Sequence, residues 1–274
     1  MARPILIGLR DFVPGLGTFS GGSWSTGLPL VNLVDLRPQF VAEALTTAAA
    51  SSTFDVDLGA AFPLGTFFFA NLTVTQAATI RLRAGTDATF AVNLYDTGTV
   101  SAWPTNSLAQ LYGVNEWVAL GRPRWFIPPA PVTCRYIRVN IDDSASATRV
   151  RIGCFGACQV WEPTINFAPG WQLDVIDESD VQRVPYGSTY ITQRGIRRRI
   201  NLGFPSLDEF VFLNTSLGLS LRSGRSLPLV VVPFPDDTPN LERTAIYGTI
   251  SRDSQMRNSL FLSYEHLFQI DQLI

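Results

Sequence analysis

Apolar and polar residues alternate one by one through most of this chain. A β-strand sends successive side chains to opposite faces, so this period allows strands and excludes helices over the same residues. Thr53-Phe54-Asp55-Val56-Asp57-Leu58-Gly59 alternates and stops at glycine. Ala78-Thr79-Ile80-Arg81-Leu82-Arg83-Ala84 and Phe90-Ala91-Val92-Asn93-Leu94-Tyr95-Asp96 follow the same rule, as do Arg135–Asp143 and Arg149–Cys154. In Arg135–Asp143 the residues Ile137, Val139 and Ile141 share one face. The runs end at Gly, Asp or Asn, residues that make tight turns. Short strands punctuated in this way predict a β-sandwich that buries one face of each strand.

The chain has 274 residues, enough for two domains. A boundary is expected over 161–170, where Pro163, Pro169 and Gly170 interrupt the pattern. The expected division is 1–28, 29–162 and 163–274. The first 28 residues interleave Gly15, Gly17, Gly21, Gly22 and Gly27 with Phe12, Phe19 and Trp24. They read as an arm or irregular edge strands, either completing a neighbour's sheet or packed on their own domain. One helix is expected at about 206–217. Ser206-Leu207-Asp208-Glu209 has the form of a capping box, Phe210, Leu213 and Leu217 fall on one helical face with Phe212 near its edge, and Gly218 is a natural stop.

Charge narrows the function classes. Charged residues make up 16% of the chain and the net charge is −2, so there is no broad basic field to hold nucleic acid. All 21 basic residues are arginine. A GC-rich genome explains this, and so does a need for carboxylate pairing at interfaces, where arginine's planar fork is suited; the two are compatible. The basic run Arg197, Arg198 and Arg199 lies inside an apparent strand, and an interface with acids of a neighbouring subunit is the preferred reading. The N-terminal apolar stretch is too short for a signal peptide, and no run reaches the ~18 apolar residues of a membrane span. No membrane insertion is expected.

Catalytic and metal motifs are sparse. The one histidine, His266, sits in an alternating strand without a recognisable nucleophile, which points to a surface or interface residue. Cys134, Cys154 and Cys158 are odd in number and lack zinc spacing, so buried thiols are expected. The pairs Asp142-Asp143 and Asp236-Asp237 end strand patterns and read as turn residues. Asp142 and Asp143 are weak calcium candidates and the carboxylate pair to nominate for glycan hydrolysis. No cofactor is expected. The best candidate binding surface is the aromatic-rich segment 100–126, with Trp103, Tyr112, Trp117 and Trp125 near Asn106, Asn115 and Glu116. Aromatic faces beside amides and carboxylates suit a pyranose; the same rings also suit a core or subunit interface.

In order, Asn32-Leu33-Val34-Asp35, Ser52–Gly59, Ala70–Thr73, Ile80–Arg83, Tyr95–Gly98, Arg135–Val139 and Val150–Gly153 resemble a discoidin-type, galactose-binding-like jelly roll, the fold of many carbohydrate-binding modules. Arg197–Leu202, the capped helix, Leu229–Pro233, Arg243–Gly248 and the closing Phe268–Ile270 resemble a β-domain of minor tail and baseplate proteins of tailed bacteriophages, including the distal-tail family. The expected fold class is therefore mainly β: a jelly-roll β-sandwich, then a second β-sandwich-like domain with one α-helix. The resemblance implies a non-enzymatic virion protein of the tail tip or baseplate, made in the host cytoplasm. Its implied partners are copies of itself in a ring or collar and the tail tube and hub proteins. The alternatives are an adaptor that binds host surface glycan and, further off, a glycan hydrolase.

Overall fold

The computed structural model describes residues 3–104, 110–111, 114–183, 187, 189–192, 194–251, 255–260 and 263–273. Strands dominate. In chain order they are β1 (Leu6–Asp11), β2 (Thr18–Ser20), β3 (Ala42–Glu43), β4 (Phe54–Leu64), β5 (Thr66–Thr73), β6 (Thr79–Gly85), β7 (Tyr95–Asp96), β8 (Val100–Ser101), β9 (Gln110–Leu111), β10 (Val114–Asn115), β11 (Arg124–Phe126), β12 (Val132–Asp142) and β13 (Arg151–Trp161). They continue as β14 (Gln172–Asp177), β15 (Asp180–Arg183), β16 (Thr189–Thr192), β17 (Ile196–Asp208), β18 (Leu229–Val232), β19 (Ile246–Ile250), β20 (Gln255–Leu260) and β21 (Ser263–Gln272). The chain divides into unit 1, Met1–Thr164 with Leu229–Ala245, and unit 2, Ile165–Pro228 with Ile246–Ile274. The mainly-β expectation holds, with a sandwich in unit 1 and a helix amid the strands of unit 2.

Unit 1 stacks two antiparallel layers. In one, β11, β5, β13, β1 and β18 are neighbours in that order; the other runs β2-β4-β12-β6-β7. Alternation decides what lies between them. Phe54, Val56 and Leu58 of β4, Ile80 and Leu82 of β6, and Ile137, Val139 and Ile141 of β12 form one wall of a shared core. Phe67, Phe69, Ile152 and Phe155 form the other. Phe155 packs on Phe54 at 5.6 Å and on Phe69 at 4.9 Å between ring centroids. Each such side chain stabilises the fold by ~1.5–3 kcal/mol through apolar burial. At Gly156 an added Cβ would lie 2.1 Å from the Phe68 ring and 2.4 Å from Asp11 Oδ2, so only glycine fits between these side chains.

Of the two readings of the first residues, packing on their own domain is the one observed: β1 lies between β13 and β18, with Ile7 opposite Trp161 and Val231, and Ile5, Leu6 and Ile7 are buried. Residues 229–245 were expected in the second domain, yet they belong to unit 1. β18 pairs with β1, and Glu242, itself buried, takes Arg124 Nη1 at 2.5 Å. Register and a buried ion pair, both long-range, overrode sequence order. The expected strand over 90–96 shrinks to Tyr95–Asp96. Phe90 turns inward with φ of +56°, while Val92 and Leu94 of the alternating run are exposed.

In unit 2 the neighbours are β19, β21, β17 and β14, and β20 also pairs with β21. Ile200, Leu202 and Phe204 of β17 point inward with Phe268 and Ile270 of β21. The helical stretch runs over 209–223 instead of 206–217, and its middle, Phe212–Leu217, is a π-helical turn. Ser206 and Leu207 remain in β17. The cap is Asp208, whose Oδ1 accepts from Val211 N–H at 2.9 Å. The helix passes through Gly218 at ordinary helical angles and ends at Gly224, where φ is +48°. The wider π turn rotates the register, so Phe212, Ser216, Leu219 and Ser223 are buried while Phe210 and Leu213 face outward.

Candidate functional site

The outer face of the β4-β12-β6 layer carries the polar half of the alternation. There arginines meet aspartates in forked pairs. Arg138 lies opposite Asp55 and donates from Nε and Nη2 to its two oxygens, both at 2.6 Å. Arg135 grips Asp57 at 2.7 and 2.8 Å, and Arg81 grips Asp96 at 2.9 and 2.6 Å. Two parallel N–H···O bonds fix both partners. The arginines beside Asp57 and Asp96 hold those carboxyls below the usual range.

Arg83 breaks the pattern. It sits directly opposite Arg138, a like-charged cross-strand neighbour, and such pairs destabilise a sheet. Among the described residues its one hydrogen bond runs from Nη2 to Asn140 Oδ1, at 3.0 Å, and its Nε is buried without a partner. Burial and the nearby Arg81 and Arg138 push its pKa below the usual arginine value. Asn140 is held in turn by Thr53, to whose Oγ1 its amide donates at 3.0 Å. Phe90 lies under both cations, 5.7 Å from the Arg83 guanidinium and 4.4 Å from that of Arg138.

Arg83, Asn140 and Thr53 line a shallow cleft of about 410 Å³ with Thr79, Arg81, Thr99 and Asp142. Its walls therefore offer a guanidinium, an amide, hydroxyls and one carboxylate, set on rigid strands. Two other clefts are less equipped. In unit 2 a cleft of about 300 Å³ runs under Trp171, but its amides hold each other: Gln269 donates to Asn201 Oδ1 at 2.9 Å, and Asn201 donates to Asp174 at 3.0 Å. In unit 1 the cleft beside Tyr95 and Phe126 contains Arg124, whose charge Glu242 neutralises.

Of the residues nominated from the sequence, Asp142 lines the first of these clefts, and the other described ones are placed elsewhere. Trp117 is 0% exposed and donates its indole N–H to Pro123 O at 2.7 Å. Trp125 is 3% exposed and stacks on Phe68. Trp103 packs on Trp117 and donates to Val74 O. Trp117 and Trp125 fill the interior and present no face to a sugar, since apolar burial claims large aromatics first, while Trp103 is half-buried against the core. Tyr112 lies outside the described residues. Asp142 and Asp143 diverge: Asp142 is exposed and caps Ser144 N–H, whereas Asp143 is buried and takes both donors of Thr75. No group of three His, Cys, Asp or Glu suited to a metal occurs among the described residues.

The arginines of β17 each find a partner within unit 2, although Arg197 Nε and Arg198 Nη2 are buried without one. Arg199 grips Asp271, Arg197 pairs with Glu178, and buried Arg198 donates from Nε to Gln272 at 2.8 Å. Strand pairing with β21 delivers the partners of Arg198 and Arg199; an interface role for Arg197, Arg198 and Arg199 stands as a proposal. His266 is 0% exposed, between Ser216 at Nδ1 and Ser220 at Nε2, and burial lowers its pKa to about 4. It is a neutral packing group, not a surface or interface residue. The three cysteines are free and buried, and burial pushes the Cys134 thiol up to about 12.

Apart from Asp142, the polar residues that line the cleft carry no functional signature in the sequence. The signal available was the outward set of two strong strands: Arg81 and Arg83 on one, Arg138 and Asn140 on the other, with one more arginine than aspartates to meet them.

No family model matches this chain, and no curated protein matches it. Solved structures do align. The lectin domain of lectinolysin in complex with Lewis b antigen is 14% identical, covering 55% of this chain and 96% of that one, with a TM-score of 0.39. The family 32 carbohydrate-binding module of Clostridium perfringens NanJ, in complex with galactose, is 12% identical over 56% and 99%, at 0.40. A fucose-binding module of Streptococcus pneumoniae is 8% identical over 55% and 98%, at 0.39. Likeness at this level leaves the ligand of the present chain open.

Proposed function

We propose that unit 1 is a non-catalytic carbohydrate-binding module that seats a glycan in the cleft of Arg81, Arg83, Asn140 and Asp142. The observation that carries this reading is Arg83, a cation on a sheet face of paired ions whose donors no carboxylate takes up. A sugar ring presents a dense set of hydroxyls, and a guanidinium, an amide, threonines and a carboxylate on rigid strands are complementary to them. The site supports binding more readily than hydrolysis. A glycosidase sets two carboxyl groups across the bond to be cut, and Asp142 is the one carboxylate among the lining residues. Titration of the full chain against a glycan array tests the reading. Binding is expected, and Asn140→Ala is expected to weaken it about tenfold; an array without signal removes the proposal.

A second reading, a building block of a tailed-phage tail tip or baseplate, is favoured by the surface of unit 2. Phe210 is 74% exposed and Leu221 77%, with Leu213 also exposed on the same helical stretch, and every described residue of the β15-β16 hairpin is exposed, Val181, Tyr190 and Ile191 included. Contiguous exposed apolar side chains mark interaction surfaces. Copies of the chain in a ring, or tail tube and hub proteins, would cover them in the virion. The two readings coexist, since a virion subunit can hold host glycan. Light scattering tests assembly: a discrete oligomer that Phe210→Ser with Leu221→Ser reduces to monomer supports it, and a wild-type monomer at all concentrations opposes it.

A further inference from the structure

Resting on the glycan-binding reading, we infer that the cleft of unit 1 selects a carboxylate-bearing sugar, a uronic or sialic acid, with the sugar carboxylate taking the place beside Arg83 that an aspartate takes beside Arg81, Arg135 and Arg138.

The argument starts from the pairing of the sheet face. Arg81, Arg135 and Arg138 each have a forked carboxylate partner from a neighbouring strand. Arg83 has an amide oxygen instead, and its neighbours deepen its charge. Arg138 stands opposite it in the register and Arg81 two residues before it on the same strand. The aspartates that could answer it, Asp55 and Asp96, are already held by Arg138 and Arg81. A fold has no need of this arrangement, because two arginines facing each other across a strand pair cost stability. Positions that break a local rule without a structural return are where a ligand is to be sought.

The chemistry of the ligand follows from what is left over. A guanidinium with unused donors in a partly enclosed site attracts an oxyanion, and a planar carboxylate matches its fork. Thr53, Thr79, Thr99 and Asn140 surround the place with groups that pair with hydroxyls. Asp142, at the end of β12, accepts from Ser144 and keeps acceptor capacity for a hydroxyl. It is the one anion of the lining, and its presence opposes a ligand of high negative charge. One carboxylate on a hydroxyl-rich ring fits these terms; a polyphosphate does not.

Matched glycans that differ in a carboxylate alone test the inference without altering the protein. Galacturonic acid and galactose share a ring and differ at C6, and galactose 6-sulfate adds a second oxyanion of different geometry. An array carrying such pairs, followed by NMR titration of the full chain, is expected to favour the carboxylate member at least tenfold. The preference is expected to shrink severalfold between 50 and 500 mM salt. Arg83→Gln is expected to weaken both members and to abolish the preference, bringing acid and neutral sugar to the same reduced affinity, and Arg83→Lys to keep part of the preference. Since Arg83→Gln removes a like-charge pair, its melting temperature is expected to be no lower than wild type, which separates lost recognition from lost folding. Equal binding of acid and neutral members overturns the inference and leaves the glycan-binding module standing. Equal binding of sulfate and carboxylate overturns the carboxylate selectivity. An array silent for acidic and neutral glycans alike overturns both.

Discussion

On the outer sheet face of unit 1, Arg81, Arg135 and Arg138 each grip an aspartate, and Arg83 meets an amide instead of a carboxylate. The helix of unit 2 holds Phe210 and Leu221 out to solvent instead, and this unit buries an arginine, Arg198, and the lone histidine. The interiors are opposed as well. Unit 1 encloses an acid: Asp11 accepts from Val13 and Ala157 N–H at Oδ1, its Oδ2 has no partner, and burial pushes its pKa up to about 7. Unit 2 encloses a base, His266, pushed down to about 4 by burial. Desolvation drives both toward the neutral form, so the same force has opposite pH signatures in the two units. The lesson is a division of labour: a polar face that can read a solute, and an apolar face that can meet a protein.

The largest effect expected from breaking this comparison is in the core of unit 1. Phe155→Ala should cost about 3–5 kcal/mol, because it removes the ring shared by Phe54 and Phe69 and leaves a cavity. Urea denaturation measures it, and a loss below 1 kcal/mol would show that the layers repack around the gap.

Next come the buried titratable groups. His266 has its folded pKa below the ordinary value of 6.5, so the unfolded chain binds more protons between about pH 6.5 and 4. The stability it contributes is present above pH 6.5 and is lost as the pH falls toward 4, by about 3 kcal/mol. Asp11 has its folded pKa above 3.8, so its contribution is present below pH 4 and is lost as the pH rises through 7, by a similar order. Hydrogen exchange across pH 4–8 should therefore show amides of β17 and β21 losing protection toward acid and amides of β1 and β13 losing it toward neutrality. His266→Phe and Asp11→Asn should flatten the respective slopes. Slopes of the same sign in both units would contradict the assignment.

Smaller effects sharpen the surface contrast. Asp208→Ala removes the helix cap of unit 2 and should lower stability by about 1 kcal/mol in thermal melts. Asp96→Asn breaks a half-exposed pair with Arg81 and should cost under about 1 kcal/mol. Its informative readout is the ligand: with Arg81 released beside Arg83, affinity for a carboxylate-bearing sugar should rise. An unchanged or reduced affinity would place the carboxylate away from these two arginines.

Much of the fold was legible because strand alternation is local. Val56, Ile80, Leu82, Ile137, Val139 and Ile141 face the core as their spacing requires. The same local rule failed at Phe90–Asp96, where the turn at Phe90 places the ring beneath Arg138 and a distant contact outweighs propensity. It failed at the helix as well. Ser206 to Glu209 fits a capping box, but β17 continues to Asp208 because its pairing with β21 reaches Ser263. Of the two roles open to the tryptophans of 100–126, Trp117 and Trp125 take the core one. Composition shows that rings are present and does not show which way they point.

The candidate site was the least legible part, and the reason lies in how charges find partners. Arginine and aspartate at alternate positions say that a sheet has a polar face. They do not say which arginine meets which aspartate, since that depends on the register of β4, β12, β6 and β7, whose residues lie up to 83 positions apart in the closest pairs. By itself the sequence determined a β-rich chain, its inward residues, its buried free thiols and its shortage of acid–base chemistry, all consequences of side-chain type and local period. Tertiary structure alone decided that residues 229–245 return to unit 1, that His266 and Arg198 are enclosed, and that Arg83 is the cation left over. Each of these depends on the long-range register that sets which groups share a low-dielectric interior or a common face.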